Sequence, residues 1–298
     1  MEKFVRTDLA CEYAADENAK RLNDLCHEER IEGFRVYRMR IETPADSALL
    51  NKPIGHYITV ECNGIMMRGD CERQRLSRLL SDELVDMSSQ LTRRDPDGEF
   101  SVFVAGLGNA ELTADAVGPQ AISKLVATRH LREHEGELYR AIGCSALSAL
   151  APGVLGQTGI ETLELLRGVV ATVKPDLVLV IDALAARSCD RLAATVQICD
   201  AGVCPGSGVG NHRSEISARS LGVPVVVLGV PTVVDSSTLV YDALRSAGIE
   251  KISPTLERVL ENGKSFFVSP KESDSITSFF ATVIAEAIHF AFVGEEMI

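Results

Sequence analysis

Positive charge is scarce in this chain: 30 Lys and Arg stand against 42 Asp and Glu in 298 residues, a net charge of −12 and an isoelectric point near 5.0. A nucleic-acid binder needs a basic footprint, so no nucleic-acid partner is expected, while an acidic surface suits a basic or neutral polypeptide. No C-x-x-C pair occurs among the eight cysteines (Cys11, Cys26, Cys62, Cys71, Cys144, Cys189, Cys199, Cys204), and several sit in apolar runs where free cysteine packs as a small hydrophobe. The first residues hold no signal-peptide apolar core, which together with the cysteine usage points to a reduced, intracellular compartment. The six histidines form no H-E-x-x-H cluster, so no metal site is legible and no cofactor is expected. A G-x-x-x-x-G-K-[ST] loop and a G-x-S-x-G elbow are both missing, excluding a P-loop ATPase and an α/β-hydrolase nucleophile. The one membrane candidate, residues 276–293, contains Glu286 and His289, which a lipid-spanning helix rarely carries together. It reads as a terminal helix docked on the core, and no membrane partner is expected.

What is present is ordinary globular composition, 46% hydrophobic and 24% charged. No repeat, low-complexity tract or clear linker divides the chain, so one α/β domain with insertions is favoured over two domains. Helix-like spacing covers residues 17–27. Residues 33–42 alternate apolar and basic side chains, as a strand with one wet face does, and residues 57–62 look like its partner. A helix is expected at 72–90, where Leu76, Leu79, Leu80, Leu84 and Met87 form one stripe. From residue 100 strands and helices alternate: strands at 100–105, 141–150, 177–181, 194–199 and 223–230, helices at 116–129, 159–173, part of 214–220, and 236–247. This order predicts an α/β fold with a mixed or mostly parallel sheet and helices on both faces.

Two aspartates stand out against that frame. Asp182 closes the run Leu-Val-Leu-Val-Ile that begins at Leu177, and Asp115 follows the strand and glycine turn Gly106-Leu-Gly-Asn109. Buried parallel strands put their functional crevice at their carboxyl ends, so neighbouring strands would bring both carboxylates into one cleft. Two carboxylates in a partly dry site cannot both ionise freely; one keeps a proton and the other can act as base, an arrangement for activating water against an amide. A structural reading stands beside this one, with Asp115 as a first-turn acid of the following helix and Asp182 as a cap.

Three glycine-rich segments interrupt the core. Gly106, Gly108 and Asn109 imitate a dinucleotide turn, but Glu111 occupies the third glycine position of G-x-G-x-x-G, so a nucleotide-binding α/β protein is a weak alternative. Gly156, Gln157 and Thr158 lead into a helix, and their backbone N–H groups are candidates for meeting an anion or oxyanion. Gly206, Ser207 and Gly208 belong to a loop directly after a strand, a candidate active-site wall.

These segments together resemble the germination proteases of endospore-forming bacteria. The resemblance rests on residues 6–10, Gly106-Leu-Gly-Asn109, Asp115-Ala-Val-Gly-Pro119, residues 151–162, Asp182-Ala-Leu-Ala-Ala-Arg187, residues 205–211 and Gly229-Val-Pro-Thr-Val-Val-Asp235, in order along the chain. It implies an atypical aspartic-type endopeptidase that initiates degradation of small acid-soluble spore proteins, with a core similar to hydrogenase-maturation endopeptidases. It places the essential aspartates on Asp115 and Asp182. It also implies a homotetramer, in the cytoplasm of the forespore and spore core, made as a zymogen that trims its own N-terminus. Asp8-Leu-Ala-Cys-Glu12 resembles the family's substrate pattern, so cleavage is expected between Asp8 and Leu9, with residues 1–8 a short propeptide and 9–298 a single peptidase domain. Cys204 stands where many members carry histidine. Within peptidases the alternative is metal assistance of the maturation type.

Overall fold

Apolar runs with no polar face end up in the middle of a single mixed sheet. The computed structural model describes residues 7–15, 25–206, 214–249, 252–263 and 266–294. Among them, in chain order, the strands are β1 (Cys26–Ile31), β2 (Phe34–Ile41), β3 (Gly55–Glu61), β4 (Ser101–Gly106), β5 (Ala146–Leu150), β6 (Leu177–Ala186), β7 (Thr195–Cys199), β8 (Val225–Asp235) and β9 (Phe267–Val268). They lie in the order β1-β2-β3-β7-β8-β6-β4-β5, with β9 added at the end of β8. The segment β5-β4-β6-β8 is parallel, and β7, β3, β2 and β1 continue it antiparallel. The longer helices are α1 (Asp70–Thr92), α2 (Val117–Lys124), α3 (Thr162–Val173), α4 (Ser236–Ser246), α5 (Pro254–Gly263) and α6 (Ser273–Phe292).

Strand alternation divides the core into two layers. Val102, Val104, Leu179 and Ile181 pack with Leu76, Leu80 and Leu84 of α1, Val117 and Ala121 of α2, and Phe280, Ile284 and Ile288 of α6. The residues between them, Phe103, Ala105, Val178 and Val180, pack on the opposite face with Leu163, Leu166 and Val170 of α3. With both faces covered, β4 and β6 have no room for a polar alternation, which is why they read as unbroken apolar runs. β2 departs from the one wet face expected of it. Phe34 and Val36 bury in the first layer and Met39 and Ile41 in the second, so coverage changes sides along the strand.

Among the described residues α6 is the helix long and apolar enough to cross a membrane. Its apolar side chains instead fill the first layer, Glu286 pairs with Arg73 of α1, and His289 Nε2 accepts the Val126 N–H at 2.9 Å.

Several expected boundaries move for identifiable reasons. The strand expected at 141–150 begins only at Ala146, because Gly136–Ile142 is helical and ends at Gly143 with φ +71°. The helix expected at 116–129 stops at Lys124 and helix resumes at Arg129–His134. Between them Thr128 is tied to β5: its N–H donates to Leu147 O at 2.9 Å, and its hydroxyl donates to Ser145 O at 2.6 Å and accepts the Leu147 N–H at 2.8 Å. The helix expected at 159–173 starts at Thr162, after a short turn of helix at Leu155–Thr158 closed by Gly159 at φ +70°. The helix expected over 17–27 falls mostly outside the described residues, and Cys26 already belongs to β1.

Candidate active site

β4 and β6 are adjacent and parallel, so the chain leaving β4 arrives beside the middle of β6. Leu107 N–H donates to Ile181 O at 2.8 Å, and the next turn brings Gly108 against the Thr113–Asp115 turn. Contact there is close enough to demand glycine: a Cβ on Gly108 would lie 1.9 Å from the Asp115 carbonyl oxygen, and φ is +113°. The Asn109 N–H donates to Asp115 Oδ2 at 2.8 Å. Asp115 and Asp182 thereby line one cleft of about 510 Å³, together with Asp8, Gly108, Gly153, Cys204, Gly206 and Thr232.

The two carboxylates sit in different surroundings. Asp182 is buried within β6, paired across the sheet with Gly229 of β8. Burial pushes its carboxyl well above the usual carboxylate range; the like charge of Asp115 adds to this, then that of Asp8, and the Ala183 N–H donating to Oδ1 at 3.0 Å opposes it. Asp115 is half-buried on a turn, with a backbone donor on one oxygen. Environment thus sets the two apart: a buried carboxyl whose pKa is raised, and a half-buried partner held by a backbone donor.

Immediately past Asp182 the β6–β8 ladder is irregular. Leu184 pairs with Pro231 and Ala185 with Val233, which leaves Thr232 as an extra residue on β8. The bulge turns Thr232 toward the cleft, and its hydroxyl donates to Ala114 O at 2.6 Å. It also explains why β8 continues past Val230, where the sequence suggested a stop: Pro231 lies at the bulge, beyond the last β7 pair at Gly229, so its missing N–H costs the ladder little.

A third carboxylate enters from the N-terminal segment. Asp8 N–H donates to Ala185 O at 2.8 Å, and the Ala185 N–H donates to Asp8 Oδ2 at 2.8 Å. Gln197 bridges this segment, its Nε2 donating to Asp8 O at 3.2 Å and its Oε1 accepting the Ala10 N–H at 2.8 Å. Lys52 Nζ donates to Thr7 O at 2.9 Å. Leu9 is fully buried against Leu184, Ala186 and Val234. Glu12 accepts N–H bonds from Arg187 at 2.8 Å and Ser188 at 2.9 Å. Residues 7–12 therefore run along the far half of β6, and Asp8 shares the cleft with Asp115 and Asp182.

The candidate loop residues divide. Gly108 and Gly206 line the cleft. Gly106 instead serves packing: a Cβ there would meet Gly118 O at 2.4 Å. Asn109 supports Asp115, and its side-chain Oδ1 accepts from Gln157 Nε2 at 2.9 Å. Gly156, Gln157 and Thr158 lie on the exposed short helix and do not line the cleft, whereas the preceding Gly153 and Val154 do. Ser207 and Gly208 lie outside the described residues. Gly108 and the Asn109 N–H in the glycine turn after β4 are both engaged by Asp115. Burial raises the Cys204 thiol above its ordinary value, which disfavours a thiolate nucleophile there. Among the described residues no three His, Cys, Asp or Glu side chains are grouped to hold a metal ion. Sequence reasoning missed Thr232, Lys52 and Gln197. Only Thr232 had a sequence signal, the proline beside it.

The pattern of the germination protease family matches residues 6–247. The chain is 39% identical to the germination protease of Caldanaerobacter subterraneus subsp. tengcongensis, over 96% of this chain and 94% of that one. It is 35% identical to that of Clostridium acetobutylicum, with the same coverage of each. A solved hydrogenase maturation protease, HycI from Thermococcus kodakarensis, superposes with a TM-score of 0.34 at 18% identity, over 69% of this chain and 97% of that one. On the extent and level of the sequence matches, this chain belongs to the germination protease family and is a peptidase.

Proposed function

We propose that the chain is an aspartic-type endopeptidase in which Asp115 and Asp182 activate water against a peptide bond, acting on small acid-soluble spore proteins. The observation that carries this reading is the placement of both carboxylates in one cleft, with Asp182 buried and under the like charge of Asp115. Asp115, ionised, takes a proton from water as the water oxygen bonds to the scissile carbonyl carbon. Asp182, protonated, stabilises the developing oxyanion and then gives its proton to the departing amine as the C–N bond breaks. Water and two carboxyls suffice for the proton balance, since the proton gained by Asp115 restores the dyad.

The same reading includes self-processing between Asp8 and Leu9, with residues 1–8 released. Support comes from the position of Asp8 in the cleft and from the acid-Leu-Ala-Cys-Glu sequence of the segment. Assembly as a homotetramer, and residence in the cytoplasm of the forespore and spore core, follow from the family reading. The test is incubation of pure protein with a small acid-soluble spore protein, with mass-spectrometric mapping of the cuts. Discrete cuts that survive exhaustive chelation support the dyad. Cuts abolished by chelation and restored by a divalent metal favour metal assistance, and no cleavage at all rejects the substrate.

A further inference from the structure

A three-residue turn such as Thr113–Asp115 has too few internal hydrogen bonds to fix a side chain on its own. Two hydroxyls from distant parts of the chain hold it. Thr232 donates to Ala114 O at 2.6 Å, and Thr277 donates to Thr113 O at 3.0 Å. These are the two carbonyls immediately before Asp115. Both threonines are almost wholly shielded from water, at 4% and 1% exposure, so neither bond has solvent as a ready substitute. Thr232 is aimed by the β8 bulge. Thr277 stands in the first turns of α6, flanked by the core residues Ile276 and Phe280, which pin the helix to the sheet. On the cleft side Gly108 and the Asn109 N–H close on Asp115, so the turn is gripped from sheet, helix and loop together.

We propose that Thr232 and Thr277 are positioning residues for Asp115, suspending its turn between the bulged strand and the last helix so that the carboxylate faces Asp182. The proposal rests on the reading of Asp115 as a catalytic group. It extends the active-site machinery beyond residue 247, where the family match ends, and gives the C-terminal helix a part in the chemistry.

The test compares wild type with Thr277→Val, Thr277→Ser and Thr232→Val in the full chain. Valine keeps the volume and branching and removes the donor; serine keeps the donor. Two readouts are taken: kcat and KM separately on a small acid-soluble spore protein, and hydrogen exchange at the Asn109 amide, which reports the bond to Asp115. Misplacing a catalytic group by about 1 Å costs on the order of 100-fold, so kcat should fall by about that factor in Thr277→Val while KM holds. Thr277→Ser should restore kcat, and Asn109 exchange should speed up in the valine variants but not in Thr277→Ser. A folded Thr277→Val with unchanged kcat and unchanged Asn109 exchange overturns the proposal, as does a loss that serine does not rescue. If Thr277→Val fails to fold, Thr232→Val reads the same suspension from the sheet side with the same two measures. If wild type itself leaves the spore protein intact, the substrate reading fails, and Asn109 exchange still decides whether the hydroxyls hold the turn.

Discussion

At the residue scale the question is which proton moves. Asp182 is buried in a core strand under the charge of Asp115, so it holds its proton where a free aspartate would not. General acid–base groups contribute on the order of 10²–10⁴-fold. Asp115→Asn and Asp182→Asn should each lower kcat by about that factor or more in folded protein, whereas Cys204→Ala should change it little. Steady-state kinetics on the spore protein checks all three, and substantial activity in either asparagine variant would remove that residue from the dyad. A second prediction follows from linkage. Asp182 has a higher pKa folded than unfolded, so the folded state binds the extra proton between those two values. Wild-type stability is therefore greatest, in this term, below the unfolded carboxylate value of about 3.9, and it is lost as pH rises toward the raised folded value. Asp182→Asn carries no such charge. Its melting temperature should match wild type in acid and exceed it increasingly toward neutral pH; parallel curves would show that Asp182 is not protonated in the fold.

At the scale of elements, Asp182 and Asp115 were legible because each follows a run that physics restricts to a buried strand, and the turn after β4 advertised itself through glycine. The suspension of Asp115 was not legible. Thr232 and Thr277 are separated from it by more than a hundred residues, and a threonine in a strand or helix carries no mark of the carbonyl it will meet. The helix break before Thr128 was hidden for the same reason, since its cause is a pairing with β5 rather than a local breaker. The extended lengths of β6 and β8 depend on the bulge, which only the pairing of both strands reveals. The far half of β6 supports a third prediction. Purified wild type should lose residues 1–8 over time, faster at mildly acidic than at neutral pH, and Asp182→Asn should stay full length. Intact mass spectrometry follows both. A wild-type chain that stays uncut while digesting spore protein would show that residues 1–8 are not a propeptide.

At the scale of the whole molecule, apolar side chains remain exposed in the isolated chain, among them Leu112 at 56%, which lines the cleft, and Phe266 at 69%. Light scattering should find a tetramer; a monomer at assay concentration would reject the assembly. The position of Asp8 beside the dyad carries a kinetic consequence. A bond held by its own chain is presented at an effective concentration that no free substrate matches and that dilution does not alter. Trimming should be first order, with a half-life that is the same at every protein concentration, and a full-length Asp182→Asn chain mixed with wild type should remain uncut. Such a reaction behaves as a clock: its rate is written into one molecule, and it keeps the same time in a crowded compartment as in a dilute one.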